Sequence, residues 1–146
     1  MKRISVFCLA MLCVAASSVS AQESRAYTEG AVTVVTAVDI KDGHYDKYMA
    51  YLAKTYKPQM EAQKKAGNIL SWSVYNASPR HRDDADVYLT VTYTNMAAFD
   101  GLDDRMYPVS REATGLSRDQ ANQASADRGS MRDIIGSEVI REISLK

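Results

Sequence analysis

The chain has 146 residues, room for one ordinary domain and too little for two. Lys plus Arg and Asp plus Glu both number 18, and 46% hydrophobic with 25% charged residues describes a soluble globular chain, not a disordered or collagen-like one. With no basic excess to hold a phosphate backbone, nucleic acid is excluded as an expected partner.

Residues 1–21 read as a signal peptide. Lys2 and Arg3 form a basic start, Ile4–Ala16 an apolar run, and Ser17–Ala21 a small-residue stretch ending Val19-Ser20-Ala21. The apolar run has 13 residues, short of the roughly 20 that cross a bilayer as a helix. Cleavage after Ala21 predicts an exported protein, periplasmic or extracellular, with no membrane association afterwards. Both cysteines, Cys8 and Cys13, leave with the signal segment, and the bulky Leu12 before Cys13 argues against lipid attachment there. The mature 125 residues then carry no thiol for a disulfide, a Cys-based zinc site or a nucleophile, and hold 16 basic against 18 acidic side chains.

Residues 22–29 are polar and predict a flexible tail; one domain is expected over residues 30–146. Gly30–Ile40 is rich in β-branched residues and predicts a strand with Val32, Val34, Thr36 and Val38 on one face. Asp42 suits the cap of a following helix, whose apolar positions Tyr45, Met49, Leu52 and Tyr56 step by four, three and four, with Tyr48 beside them. Pro58 falls inside this pattern and predicts a kink, since it removes the hydrogen bond to the carbonyl of Lys54. Lys64 and Lys65 suit the last turn and Gly67 the stop.

Ile69–Ala77 alternates again, with Leu70, Trp72 and Val74 on one face, and Val87–Thr94 sets Val87, Leu89, Val91 and Tyr93 against Tyr88, Thr90, Thr92 and Thr94. The charged segment Ser78–Asp86 joins these two as the long turn of a hairpin. Asn95 predicts the cap of a short helix over Met96–Leu102, and Asp103–Gly115 reads as irregular, punctuated by Pro108 and Gly115. Ser117 and Gln120 form a capping box for a helix running to about Ile135, weakened by Gly129. Ser137–Leu145 alternates as a last strand. The order predicts an α+β fold, βαββαβ, with one antiparallel sheet and helices on one face.

No Asp, Glu, Lys or Arg occurs in Ala31–Val38, Ile69–Ala77 or Val87–Thr94. A sheet face open to water normally carries such residues. The positions off the core, among them Thr33, Val35, Ser73, Tyr75, Tyr88 and Thr90, are uncharged, so this face predicts a homodimer packed sheet to sheet.

The stretch Tyr56-Lys57-Pro58, Lys64-Lys65-Ala66-Gly67 and Ser71-Trp72-Ser73-Val74-Tyr75 resembles the dimeric α/β-barrel superfamily. The passage from Arg132-Asp133-Ile134-Ile135 through Ser137-Glu138-Val139-Ile140 is similar to that of its small exported members of unknown function. The resemblance implies a ferredoxin-like subunit whose sheet meets that of a second copy. That superfamily includes haem-degrading monooxygenases, cofactor-independent quinone-forming monooxygenases and isomerases, so the likeness selects no chemistry.

Candidate chemistry is sparse, and catalytic residues remain unknown at this level. His44 stands at a helix start and His81 in a charged turn, with no second histidine at metal-ligand spacing. Asp83, Asp84 and Asp86 lack the Asp-x-Asp-x-Asp-Gly frame of a calcium loop. Neither a nucleophile elbow nor a phosphate loop is present, so no metal and no cofactor is expected. Related haem-degrading enzymes pair a tryptophan with a histidine, but Trp72 belongs to a strand and His81 to a turn, and Ala31–Val38 contains no asparagine. The nine tyrosines are the better equipment for a site, since a phenol joins an apolar body to one donor–acceptor group. Tyr75, Tyr88, Trp72 and Tyr48 are the candidate ligand-binding residues. Arg141, on the last strand, is either a cation for an anionic ligand or an ion-pair partner of Glu138 or Glu142. The expected role is binding a small apolar or aromatic molecule in a cavity at the dimer sheet face. The alternatives are a cofactor-independent monooxygenase or isomerase, by resemblance, and a protein-interaction module.

Overall fold

The computed structural model describes residues 25–146; the predicted signal segment and its cleavage site lie outside the described residues. Four strands, β1 (Tyr27–Ile40), β2 (Ser71–Asn76), β3 (Val87–Tyr93) and β4 (Arg132–Leu145), form one antiparallel sheet in the order β2-β3-β1-β4. Helices α1 (Tyr45–Tyr51) and α2 (Lys57–Lys65), joined by a π-turn over Leu52–Tyr56, cross one face. Helix α3 (Leu102–Thr114) packs beside α2, and α4 (Arg118–Asp127) leads back to β4. The predicted α+β class and βαββαβ order are those observed.

Strand β1 begins at Tyr27, three residues before the predicted domain start, because Tyr27, Thr28 and Glu29 pair with Leu145, Ser144 and Ile143. These three residues belong to the sheet and not to a flexible tail. Alternation along β1 and β3 places the core where expected: Val32, Val38, Val87 and Tyr93 are buried. In β2 the expectation fails at one residue. Ile69 is buried and Leu70 exposed, since the chain enters the strand at Ser71 and only then alternates.

The first helical segment is capped differently from expectation. Its N-cap is His44, without a side-chain cap bond, preceded by a turn in which the His44 N–H donates to the Lys41 carbonyl (2.9 Å) and Gly43 takes φ +76°. Pro58 does disturb the helix, through a π-turn that precedes it: the Lys57 N–H donates five residues back, to Leu52. This turn decides which side chains are buried. Tyr48, Leu52, Tyr56 and Met60 are successively four apart, and in a regular α-helix each such step overshoots a turn by about 40°. Three steps would carry Met60 about 120° off the face of Tyr48, and one extra residue in the turn takes back about 100°. Tyr48, Leu52 and Met60 are therefore all buried, while Tyr45 is exposed.

Helix α2 ends as predicted after Lys65. The Gly67 N–H donates to Lys64 and the Asn68 N–H to Gln63, both at 3.1 Å, with Gly67 at φ +77°.

Two further expectations are corrected. Asp103–Gly115 is not irregular: Leu102, Met106 and Val109 give α3 an inward side, and Pro108 is tolerated on its exposed side. Met96–Phe99 is a separate 3-10 turn before it. The capping box is present, with the Gln120 N–H on the Ser117 hydroxyl (3.3 Å) and the Ser117 N–H on Gln120 Oε1 (2.9 Å). Its helix ends at Asp127, however, and β4 starts at Arg132, five residues before the predicted strand. A bulge at Ile135, between the pairs Ala37–Gly136 and Val38–Ile134, breaks the alternation that would have shown this.

Candidate functional site

The face of the sheet away from the helices is the candidate site. Register fixes its members: Thr33 opposes Thr92, Val35 opposes Thr90, and Tyr75 opposes Tyr88. The Thr33 and Thr92 hydroxyls meet at 2.9 Å across the strands, and Thr90 Oγ1 reaches the Ser73 carbonyl at 3.4 Å. These contacts let semi-polar side chains lie flat and uncharged together. Tyr75 and Tyr88 are 57% and 36% exposed, so two phenol rings stand out from an otherwise low surface. Strand β4 extends this face with Ile140, opposite Thr33, and brings its first acid at Glu138, opposite Val35.

The five candidate ligand-binding residues divide between the two sides of the sheet. Tyr75 and Tyr88 lie on the uncovered face. Trp72 opposes Val91 on the helical side, where its ring meets Tyr56 edge-on (centroids 5.8 Å apart) and its Nε1–H donates to Glu61 (3.0 Å). Tyr48 is only 1% exposed and stacks on Tyr51 at 5.8 Å. Its burial raises the phenol above its ordinary pKa, against the lowering pull of the nearby Arg132 guanidinium. Arg141 opposes Val32 on the helical side and pairs with Glu29 at 2.7 Å, a partner different from the expected Glu138 or Glu142. Tyr48, Trp72 and Arg141 thus share no surface with the Tyr75–Tyr88 pair, and one cavity at the sheet face cannot draw on all five.

The remaining candidates have structural work. His81 is exposed, and its backbone N–H, with that of Arg80, donates to Asp84 Oδ2 (3.0 and 2.9 Å), so this carboxylate fixes the turn. Asp86 Oδ2 accepts from the Ile40 N–H at 2.7 Å. Among the described residues no group of three His, Cys, Asp or Glu side chains gathers at metal-binding range. No helix of the described residues is long and apolar enough to cross a membrane.

Strand β4 carries a feature that sequence reading missed. It is an edge strand of 14 residues with large apolar side chains exposed on both faces: Ile134 (53%) and Val139 (54%) on the helical side, Ile140 (49%) on the other. Long, flat, apolar edges are the kind that proteins normally cover. Consecutive Ile134-Ile135 and Val139-Ile140 signalled this, since each pair places an apolar group outside any single core face.

No family model and no curated protein matches the chain. Among solved structures it is similar to HapK from Hahella chejuensis, at 12% identity and TM-score 0.51, over 76% of this chain and 91% of that one. Protein SO0527 from Shewanella oneidensis is equally similar, at 12% identity and TM-score 0.51, over 80% of this chain and 97% of that one. The fold is ferredoxin-like. A dimeric ferredoxin-like protein from an uncultured marine organism aligns more loosely, at 17% identity and TM-score 0.39 over 82% and 96% of the two chains. At such identities the likeness is one of fold alone.

Proposed function

We propose that the protein is an exported homodimer that packs sheet against sheet and binds a small apolar or aromatic molecule between the two sheets. The observation that carries this reading is the uncovered face itself: Ala31–Val38 of β1, with β2 and β3, carry no charged side chain, and the opposed Tyr75 and Tyr88 stand exposed there. Uncharged, half-apolar surface gains by leaving water, and phenols offer a flat ligand both stacking area and a hydrogen bond. Exposed Ile140 on the same face of β4 widens the area a second copy would bury. Export rests on the basic, apolar and small-residue sequence of residues 1–21.

Native mass spectrometry of the protein recovered from the exported fraction tests both parts, with the denatured mass as control. A dimer with added non-covalent mass, beginning at Gln22, is the expected result. A bare monomer would overturn the sheet-to-sheet dimer and turn the reading toward an interaction module whose partner covers β4.

A further inference from the structure

Helix α4 has ten residues and buries none of them. A helix so short gains little from its own backbone, and this one gains little from packing. Its ends are tied instead by two arginines seated on two tyrosines. At the first turn the Arg118 guanidinium lies 4.3 Å over the ring of Tyr107; at the C-cap, Arg128 lies 4.7 Å over Tyr51. Between these ties α4 bridges a cavity of about 110 Å³, walled by Tyr51 and Thr55 of the helix before Pro58 and by Arg111 and Arg128. Past Tyr107 and Ala121, which line both, the cavity opens into a groove of about 520 Å³ floored by Phe99, Leu102 and Met106.

The charges along this groove are unequal. Arg118 has Asp103 as its counter-ion at 2.5 Å. Among the described residues, Arg111 and Arg128 have no carboxylate within 4.0 Å. A guanidinium stacked on a ring keeps its in-plane N–H donors free, and those donors match the two oxygens of a carboxylate. The inner end is thus cationic, while the outer end has an apolar floor of Phe99, Leu102 and Met106 beside the mutually neutralised Arg118–Asp103 pair.

We infer that this groove is a second binding site, for a small amphiphilic carboxylate. Its acid group meets Arg111 and Arg128 in the inner cavity, and its apolar body runs past Tyr107 toward Phe99 and Met106. Gly115, at φ +71° between α3 and α4, is the joint about which a weakly held α4 can lift to admit it. This site lies in the helical layer and does not depend on the sheet-face reading.

The test is an NMR titration of the 15N-labelled mature protein with octanoate, repeated with octan-1-ol as the uncharged control. Octanoate is expected to move the amide signals of α4 and the π-turn while leaving those of Tyr75 and Tyr88 in place, and to bind at least tenfold more tightly than octanol. Arg111→Gln with Arg128→Gln is expected to weaken octanoate at least tenfold and leave octanol unchanged. Equal affinity for the two probes, shifts confined to the sheet face, or no shift at millimolar octanoate would each overturn the site. The wild-type comparison decides even if the double variant is unstable, and a dimer seen by mass spectrometry would leave the sheet-face reading intact in every case.

Discussion

Tyr75 and Tyr88 stand directly opposite each other on β2 and β3, on the side of the sheet that bears no helix. Both are exposed, and neither belongs to the buried clusters of the core. Replacing both by alanine is therefore expected to leave the thermal midpoint of the isolated subunit nearly unchanged, while the non-covalent mass that the proposed function predicts disappears from the native spectrum. Thr92→Lys, four residues along β3 from Tyr88 on the same face and bonded to Thr33, puts a charge into the face and is expected to shift the proposed dimer to monomer by light scattering. A Thr92→Lys dimer would place the interface elsewhere.

Gln63 is wholly buried, and its amide is fully used. Its Nε2 donates to the Met106 carbonyl and to Ser110 Oγ, both at 2.8 Å, and its Oε1 accepts from Asn68 Nδ2 at 2.7 Å. One side chain thereby joins α2, α3 and the turn that follows α2. Gln63→Leu keeps the size but removes three hydrogen bonds from a buried site, leaving Ser110 only Gln59 and Asn68 only the Arg105 carbonyl, at a cost of about 1–3 kcal/mol. Chemical denaturation should show this as a lower midpoint with an unchanged slope.

The π-turn makes a sharper prediction. Deleting Lys54, an exposed residue within it, would leave Tyr48, Leu52, Tyr56, Met60 and Gln63 spaced four, three, four and three, the phase of a regular helix. Such a helix would meet the Pro58 ring in its interior, at a cost of about 3 kcal/mol. The deletion alone should destabilise by that order, and the deletion with Pro58→Ala should recover most of it. Pro58→Ala in the full-length chain should change stability by less than about 1 kcal/mol, because packing on both sides still selects the π-turn. Strict additivity of the two changes would refute this account.

How far the sequence discloses the molecule follows from the same phases. Strict alternation in β1 and β3 fixes their faces, so the uncharged sheet face and its Tyr88 are legible without coordinates. Tyr48 is not, because its burial depends on the π-turn and on a helical phase that the Tyr45–Met49 pattern misstates. Arg141 and the start of β4 are hidden by bulges at either end of the β1–β4 ladder, each of which shifts alternation by one. Helix α3 is obscured by Pro108 and Gly115, of which only the glycine ends it. The groove under α4 has no local signature, since Tyr51, Arg111 and Arg128 come from three segments.

Three phenols, Tyr48, Tyr56 and Tyr93, have their pKa raised by burial. A group whose folded pKa is raised gives stability that is complete below its unfolded value, here 10.0, and lost as pH rises beyond it. The unfolded chain sheds those protons first. Stability should accordingly hold to about pH 10 and fall above it, with phenolate absorbance of these tyrosines arriving only with unfolding. Tyr56→Phe should soften that alkaline loss without weakening the protein at pH 7.

Arg141 and Glu29 pair at 2.7 Å across the irregularity between Glu29 and Val32 in the β1–β4 ladder, and Glu29 also holds Arg25 at 3.1 Å. Their side chains are 32% and 38% exposed, so solvent screens the pair, and Arg141→Ala should cost less than about 1 kcal/mol. Since Arg141 points to the helical side, opposite Val32, the same change should leave ligand mass at the sheet face untouched. Loss of that mass in the variant, with stability preserved, would return Arg141 to the binding site. Retention would confine the ligand's contacts to the face that Tyr75 and Tyr88 share.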